Sequence, residues 1–528
     1  MTTEHRVSYE RTVIDCRDPA TGRHLGNVPS LSRGEVVERI GRAREAQRDW
    51  QRTSFEERRR VLRDLLAYTL EQADEIAALV MVESGKTREH AMLGEIWPVA
   101  EKLRWTIAEA EKHLTPERVS SGLLIHKTAT IEFHPLGVVG VISPWNFPFQ
   151  NILGPMIPAL FAGNAVVIKV SEWSSWSARR YQRMFDEVLN ARGHSTDLVQ
   201  ILTGGAETGA AVVSGGVDLV VFTGSARNGR RVIEESARNA IPVILELGGK
   251  DPMIVCDDAH VPQAVHTALA GAFLSSGQMC MAIERVYVFE AVYEAFVEQV
   301  LDVVRNMRQG PPTRGRVDVG AMTMPAQIDV VERLVHDAIA KGAVVRAGGK
   351  RSLAGQFFEP TVLTDVRHDM AIMREETFGP VMAIMKVSGE QEAIRLANDS
   401  EYALGSSVFT RDPIRARRIA RQITAGSTCV NDFGLAYIAQ DLPFGGTKGS
   451  GFGRLNGREG LRACTNQKAV LEDRLPIYSP KRLFPVATGD YELARSTIRL
   501  LYGDWKQRLA ALGDLASALR MRITGQPS

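Results

Sequence analysis

Hydrophobic and polar positions divide the chain into distinct blocks. Four short apolar runs, 138–143 (VVGVIS), 165–168 (AVVI), 219–222 (LVVF) and 241–245 (IPVIL), are each followed by glycine, proline or charged residues. Runs this short and this rich in β-branched residues predict buried strands of a parallel sheet. Before them, charged amphipathic segments from Ser32 to about His113 predict a helical block, opened by a capping box at Ser32-Arg33-Gly34-Glu35. Glu83-Ser84-Gly85-Lys86-Thr87 interrupts that block and reads as a helix terminator and turn. It is no phosphate loop, because Val80 stands where the first glycine is required. Residues 11–30 predict short strands broken at Asp18-Pro19 and Thr21-Gly22. The stretch 122–137 alternates in the β manner, and a long strand outside the main sheet needs a partner to cover its edge. In the tail, 477–528, the residues Ile498, Leu501, Tyr502, Trp505, Leu509, Leu512 and Leu519 share one helical face, with Arg499, Lys506, Arg508, Arg520 and Arg522 elsewhere.

Bulk properties narrow the class. A chain of 528 residues calls for two to three domains, and 44% apolar with 24% charged residues is ordinary for a globular enzyme. A formal charge of +2 with no strongly basic domain over the first 470 residues predicts no nucleic-acid partner. Cys16, Cys256, Cys280, Cys429 and Cys464 are odd in number and lack CxxC spacing, so they read as thiols in a reducing compartment, with no metal site. The polar amino terminus has no apolar core of a secretion signal, and no run of about eighteen apolar residues exists to span a membrane. The expected location is the cytoplasm. The tail helix is read as docked on the enzyme's own surface, as peripheral to a membrane, or as a gate over a substrate tunnel.

Candidate chemistry concentrates between Leu245 and Arg285. Glu246-Leu247-Gly248-Gly249-Lys250 places a carboxylate at the end of an apolar strand, where open α/β sheets put their sites. Gly277-Gln278-Met279-Cys280-Met281-Ala282-Ile283-Glu284-Arg285 supplies a thiol 34 residues later. A thiolate can attack an electrophilic carbon while a carboxyl of raised pKa takes a proton from the thiol or from water. Isolated Glu and Cys residues are more often a solvated surface group and a small buried hydrophobe.

Those two strings resemble the signatures of the aldehyde dehydrogenase superfamily, and family-like wording runs from about Asp18 to Leu471. The resemblance implies an α/β fold: a Rossmann-like parallel-sheet cofactor domain (1–121 and 138–247), an α/β catalytic domain (248–440), a β oligomerisation arm (122–137 and 462–476) and a carboxy-terminal amphipathic helical tail (477–528). It makes Cys280 the nucleophile and Glu246 the general base. Pro144-Trp145-Asn146-Phe147-Pro148 resembles the family's PWNFP turn, whose Asn donates to the oxyanion; an Asn capping the next helix is the alternative for Asn146. Cofactor contacts implied by resemblance are Lys169, Glu172, Gly204, Thr223, Gly224, Ser225, Gly229, Leu247, Glu376 and Phe378. Of these, Glu172 would accept from the ribose hydroxyls and repel a 2′-phosphate, favouring NAD over NADP. Phe147 and Phe444 are expected to line the substrate tunnel, beside the small apolar loop 434–439, which offers no Arg or Lys to anchor a carboxylate.

The implied activity is NAD-dependent, hydrolytic oxidation of a small, hydrophobic aldehyde by a homodimer or homotetramer, with no metal. The thiol is expected to be activated by its surroundings, since no histidine sits near either signature. One departure stands out. Many members carry a Lys eight or nine residues after the Asn, whereas Gly154 and Pro155 occupy those places here, so no proton relay through that Lys is expected. Two rivals remain: a coenzyme A-acylating relative, which typically lacks the Glu, and a Cys/Glu hydrolase without nicotinamide. A third is a catalytically idle protein on this fold.

Overall fold

The computed structural model describes residues 12–352, 355–474 and 484–524, with side chains through 521. Residues 1–11 of the expected cofactor domain, 475–476 of the arm, and 477–483 and 525–528 of the tail lie outside the described residues, as does the Arg522 side chain. The chain forms two compact units, 1–117 with 131–469 and 118–130 with 470–528.

In the first unit, the apolar runs become strands Val138–Ile142, Ala165–Lys169, Leu219–Thr223 and Val243–Glu246, joined by Val199–Leu202. All pair in parallel, with 219–223 and 165–169 flanking the central 138–142. The register pairs Ile142 with Lys169 and Phe222, and Thr223 with Glu246. The carboxyl ends therefore finish together, and the turns that follow them open on one edge of the sheet. The short strand Gly451–Phe452 pairs antiparallel with 243–246 and closes the sheet's far side. The helical block packs nearby: helices Arg33–Trp50, Phe55–Glu71, Ala73–Ser84 and Trp97–Leu114 surround the core that these strands share. The capping box at Ser32 and Glu35 is formed, and Gly85 ends helix 73–84 in the left-handed conformation.

A second sheet of seven strands runs in the order 344–347, 361–364, 381–387, 283–289, 251–255, 407–409, 429–430. It is parallel except for the edge pairing of 344–347 with 361–364. Both of its faces are covered by apolar cores, as parallel sheets require. The strand Lys127–Pro135 lies between Glu117–Val119 and Thr465–Asp473 in a separate three-stranded sheet.

In the second unit, the tail is helical, as read from its periodicity, but it is two helices. Asp490–Tyr502 and Trp505–Thr524 form a hairpin, and the seven apolar residues read as one face are divided between them. The break has a local cause. Gly503 is extended, and Asp504 accepts from the Gln507 N–H at 2.8 Å while its own N–H donates to Gln507 Oε1 at 3.0 Å, starting a new helix. Arg495 and Arg499 both approach Asp514 at 3.8 Å across the hairpin. The buried positions of the described tail are small residues, Gly489, Ser496, Ala511 and Ala518. The bulky ones face outward: Ile498, Tyr502, Trp505 and Leu509 are each more than half exposed.

Candidate active site

The two signatures are tied to each other by buried charges. Lys250 donates to Glu284 Oε2 at 2.5 Å, and the Arg285 Nε–H donates to Lys250 O at 2.8 Å. Glu284 also accepts from the Thr377 and Phe378 N–H groups, each at 2.8 Å, so the 375–380 turn is pinned to the same pair. Gly249 is needed for close approach: a Cβ there would sit 2.2 Å from the Cys280 carbonyl oxygen. These contacts bring Glu246, Cys280 and Glu376 into one pocket region from positions up to 130 residues apart, Gly249 donating to Glu376 Oε1 at 3.1 Å.

Cys280, Glu246, Asn146, Thr223, Phe147 and Phe444 line a single cavity of about 280 Å³. Its remaining wall is largely apolar, with Trp97, Leu274, Met279, Phe433, Leu435 and Ile438 among the contributors. Glu246 is almost fully buried, and its Oε1 has no hydrogen-bond partner among the described residues. Burial pushes its carboxyl up to about 7, partly offset by the Cys280 thiol beside it. The Cys280 thiol is itself pushed well above its ordinary range, by burial first and then by the Glu246 charge. The expected activation by surroundings is therefore corrected. The environment keeps the thiol protonated, because it is apolar and acidic, and a proton acceptor must act at the moment of attack.

Asn146 is buried and does not cap the following helix, Gln150–Phe161, whose cap residue is Phe149. Its Nδ2 donates to Gln278 O at 3.1 Å, two residues before the thiol, and its Oδ1 accepts from Asn151 Nδ2 at 3.0 Å. The second bond fixes the amide with its Nδ2 toward Gln278. Phe378 adopts φ 48° and its ring meets Trp145 edge-on at 5.4 Å, so the 144–148 and 375–380 turns touch. Gly154 faces the hydroxyl of Tyr437, which accepts a close hydrogen bond from Gln150 Nε2 and meets the Phe444 ring at 4.7 Å.

Lys102 also reaches the cavity, unread from sequence. Its ammonium is turned to Leu455 O at 3.1 Å and Asn456 Oδ1 at 2.5 Å, and burial lowers it to about 7. With two protein acceptors and a charge weakened by burial, it is a poor anchor for a carboxylate. Tyr437, Gln150 and Lys102 carry no local sequence signal, because their roles arise from partners far away in the chain.

The other predicted contacts line the first sheet's carboxyl edge. Lys169 is buried, and its ammonium pairs with Glu172 Oε2 at 3.6 Å at the carboxyl end of its strand. A buried ammonium so placed fits a polar ligand such as a ribose. Ser225 caps helix Ala226–Ala237, whose Gly229 packs tightly on Leu247, so the helix begins directly after strand 219–223 at the sheet's carboxyl edge. Gly224 donates to Glu246 O at 3.0 Å, and Gly204 starts the turn into helix Ala206–Ser214. The residues present thus fit a dinucleotide.

Fold and site together define a nicotinamide-dependent dehydrogenase with a cysteine in its substrate pocket. Residues 6–470 match the model of the aldehyde dehydrogenase family. An aldehyde dehydrogenase-like protein of Schizosaccharomyces pombe is 36% identical over 507 residues, covering 94% of this chain and 97% of that protein. A 4,4′-diapolycopene aldehyde oxidase of a Methylomonas species is 38% identical over 495 residues, covering 93% and 92%. The structure of betaine aldehyde dehydrogenase from Staphylococcus aureus in complex with NAD+ superposes with a TM-score of 0.83 at 30% identity, covering 89% and 93%. The chain belongs to the aldehyde dehydrogenase family, and is an oxidoreductase acting on aldehydes with NAD(P).

Proposed function

We propose that this enzyme oxidises a hydrophobic aldehyde to its carboxylate, with NAD preferred, through an acyl group carried on Cys280. The observation that carries the reading is a buried Glu246, its carboxyl pushed up to about 7 and its Oε1 without a partner among the described residues, beside the Cys280 thiol in an apolar cavity. In this reading Glu246 takes the thiol proton as sulfur adds to the carbonyl carbon. The Asn146 amide and the Cys280 N–H stabilise the resulting oxyanion, a donor of this kind contributing about 3 kcal/mol. Lys169, Glu172, Ser225, Leu247, Glu376 and Phe378 would hold the dinucleotide, whose nicotinamide supplies a hydride acceptor when bound. Once Glu246 has passed that first proton to solvent, its carboxylate removes a proton from water, and the hydroxide cleaves the thioester to carboxylate and free thiol. A buried base aimed at the sulfur favours hydrolysis over transfer to coenzyme A.

A panel of short, long and aromatic aldehydes with NAD and NADP, followed by reduced-cofactor absorbance, tests this. The expected results are carboxylate product with or without coenzyme A, better kcat/KM for apolar aldehydes, and a preference for NAD that Glu172→Gln narrows about tenfold. An acyl-coenzyme A product, or no reduced cofactor with any aldehyde, would refute the reading.

The outward bulky residues of the tail hairpin support a peripheral lipid contact, because small residues already fill its buried positions. None of the described helices is long and apolar enough to cross a membrane. The full chain is expected to co-sediment with lipid vesicles, and a 1–476 truncation or the full-length Trp505→Glu/Leu509→Glu variant to stay in the supernatant; equal recovery of all three removes the idea. Leu123, Leu124 and Ile125 are exposed on the arm and support a homodimer or homotetramer, which light scattering of the full chain would contradict by giving a monomer mass. Five free thiols accord with the reducing cytoplasm.

A further inference from the structure

The string Glu83-Ser84-Gly85-Lys86-Thr87 ends one helix, and Thr87 caps the next, which begins at Arg88. That next helix does not continue regularly. Residues Met92–Ile96 form a π-helical turn before Trp97–Leu114 resumes the α-helical path. Such turns widen a helix and redirect side chains, and they are frequent at functional sites. Here the turn carries Glu95 to full burial, where Oε1 accepts from Lys86 Nζ at 2.6 Å.

The other carboxylate oxygen has a specific task. Glu95 Oε2 accepts from the Phe149 N–H at 3.0 Å and the Gln150 N–H at 2.8 Å. Those groups begin helix Gln150–Phe161, which has no side-chain cap of its own. A carboxylate from 55 residues away thus does the work of an N-cap, and its charge suits the positive end of the helix dipole. The same pair grips the turn before the helix. Lys86 Nζ lies 3.6 Å from the centre of the Phe147 ring, and Gly94 lies so close that a Cβ would come within 2.7 Å of that ring. Asn151, in the first turn of the capped helix, orients the amide of Asn146.

The segment also holds the opposite jaw. His90 Nδ1 accepts from the Ser275 N–H at 3.0 Å, in a turn where Ser275 and Ser276 both have positive φ. Burial lowers His90 to about 4, so this nitrogen keeps its lone pair. Ser84 O accepts from Thr323 Oγ1 at 2.8 Å, and the Thr323 N–H donates to Gln278 Oε1 at 2.8 Å. Gln278 is the residue whose carbonyl Asn146 meets.

We propose that residues 84–95, through the buried Lys86–Glu95 pair, are a clamp that sets the separation of Asn146 from the Cys280 loop, making Lys86 and Glu95 positioning residues for the oxyanion. The proposal rests on the reading of Asn146 and Cys280 given above. Its chemistry is ordinary: an amide displaced by a fraction of an ångström loses most of its advantage in the transition state.

Glu95→Gln and the double variant Lys86→Met/Glu95→Gln test it, the latter leaving no unpaired buried charge and so folding where a single change fails. With rates normalised to titrated active sites, kcat should fall at least tenfold with little change in KM for aldehyde or cofactor. In an Asn146→Ala background the same changes should add less than twofold. A full additional loss on that background, or unchanged kcat per site, overturns the clamp. Hydrogen exchange decides independently of turnover: both 147–151 and 275–280 should exchange faster in the variants. Faster exchange confined to 147–151 marks a mere helix cap and refutes the proposal. Absence of aldehyde oxidation in the unaltered enzyme would instead count against the functional reading, with exchange still deciding the clamp.

Discussion

Cys280→Ala is expected to lower aldehyde-dependent formation of reduced cofactor by about 10⁴-fold or more, because without the sulfur there is no covalent acyl intermediate to form. At 1.36 kcal/mol per decade that is about 5 kcal/mol of barrier. The dinucleotide contacts proposed at Lys169, Glu172 and Ser225 are on other turns, so titration with the oxidised cofactor should give an unchanged affinity. Retention of more than a few per cent of the activity would mean that a nucleophile other than this thiol carries the reaction. Cys429 is the other partly exposed free thiol, and the variant removes nothing from it.

Glu246→Gln carries the second large effect. The carboxyl sits in an apolar wall that raises it to about 7, so it is protonated at pH 6 and ionised at pH 8. A base must be ionised to act, so the activity of the unaltered enzyme should climb about tenfold from pH 6 to pH 8 and level off above. Removing the base should cost about 10²–10⁴-fold in kcat and flatten that rise. Stopped-flow absorbance should still show up to one equivalent of reduced cofactor per site when the reaction is started at high pH, where the thiol can ionise in part. A steady rate close to that of the unaltered enzyme, with the same pH profile, would assign the base elsewhere.

How much of this could be read from the chain depended on whether the information is local. Short apolar runs bounded by glycine, proline or charged residues became parallel strands with shared carboxyl ends, because length, β-branching and turn chemistry agree there. Glu246 and Cys280 were legible because each lies in a contiguous string, 246–250 and 277–285, that resembles a signature of the family. The Lys86–Glu95 pair was not. Lys86 lies in a string that serves locally as a helix stop, and the Phe147 ring it faces is 61 residues away, while the N–H groups of Phe149 and Gln150 come to Glu95 from 54 and 55 residues away. Glu95 reaches them only because the helix widens at 92–96, which no periodicity announces. Likewise Tyr437 looks like one more apolar loop residue until Gln150 is seen against it.

The thiol illustrates a different limit. Its charge state depends on burial and on carboxylates brought in from Glu246, Asp251 and Glu376, and only the assembled pocket gives the sign of that sum. The tail shows a third. Helical spacing is compatible with one long face, yet Gly503-Asp504 and Gln507 form a stop and a restart, and the stripe is split between two helices.

The most direct measurement is intact-protein mass spectrometry, with peptide mapping, of the Glu246→Gln enzyme quenched after one turnover with an aldehyde and NAD. The account predicts a mass increase equal to the acyl group, held on the peptide containing Cys280 and removed by hydroxylamine. An unmodified Cys280 beside one equivalent of reduced cofactor would contradict it.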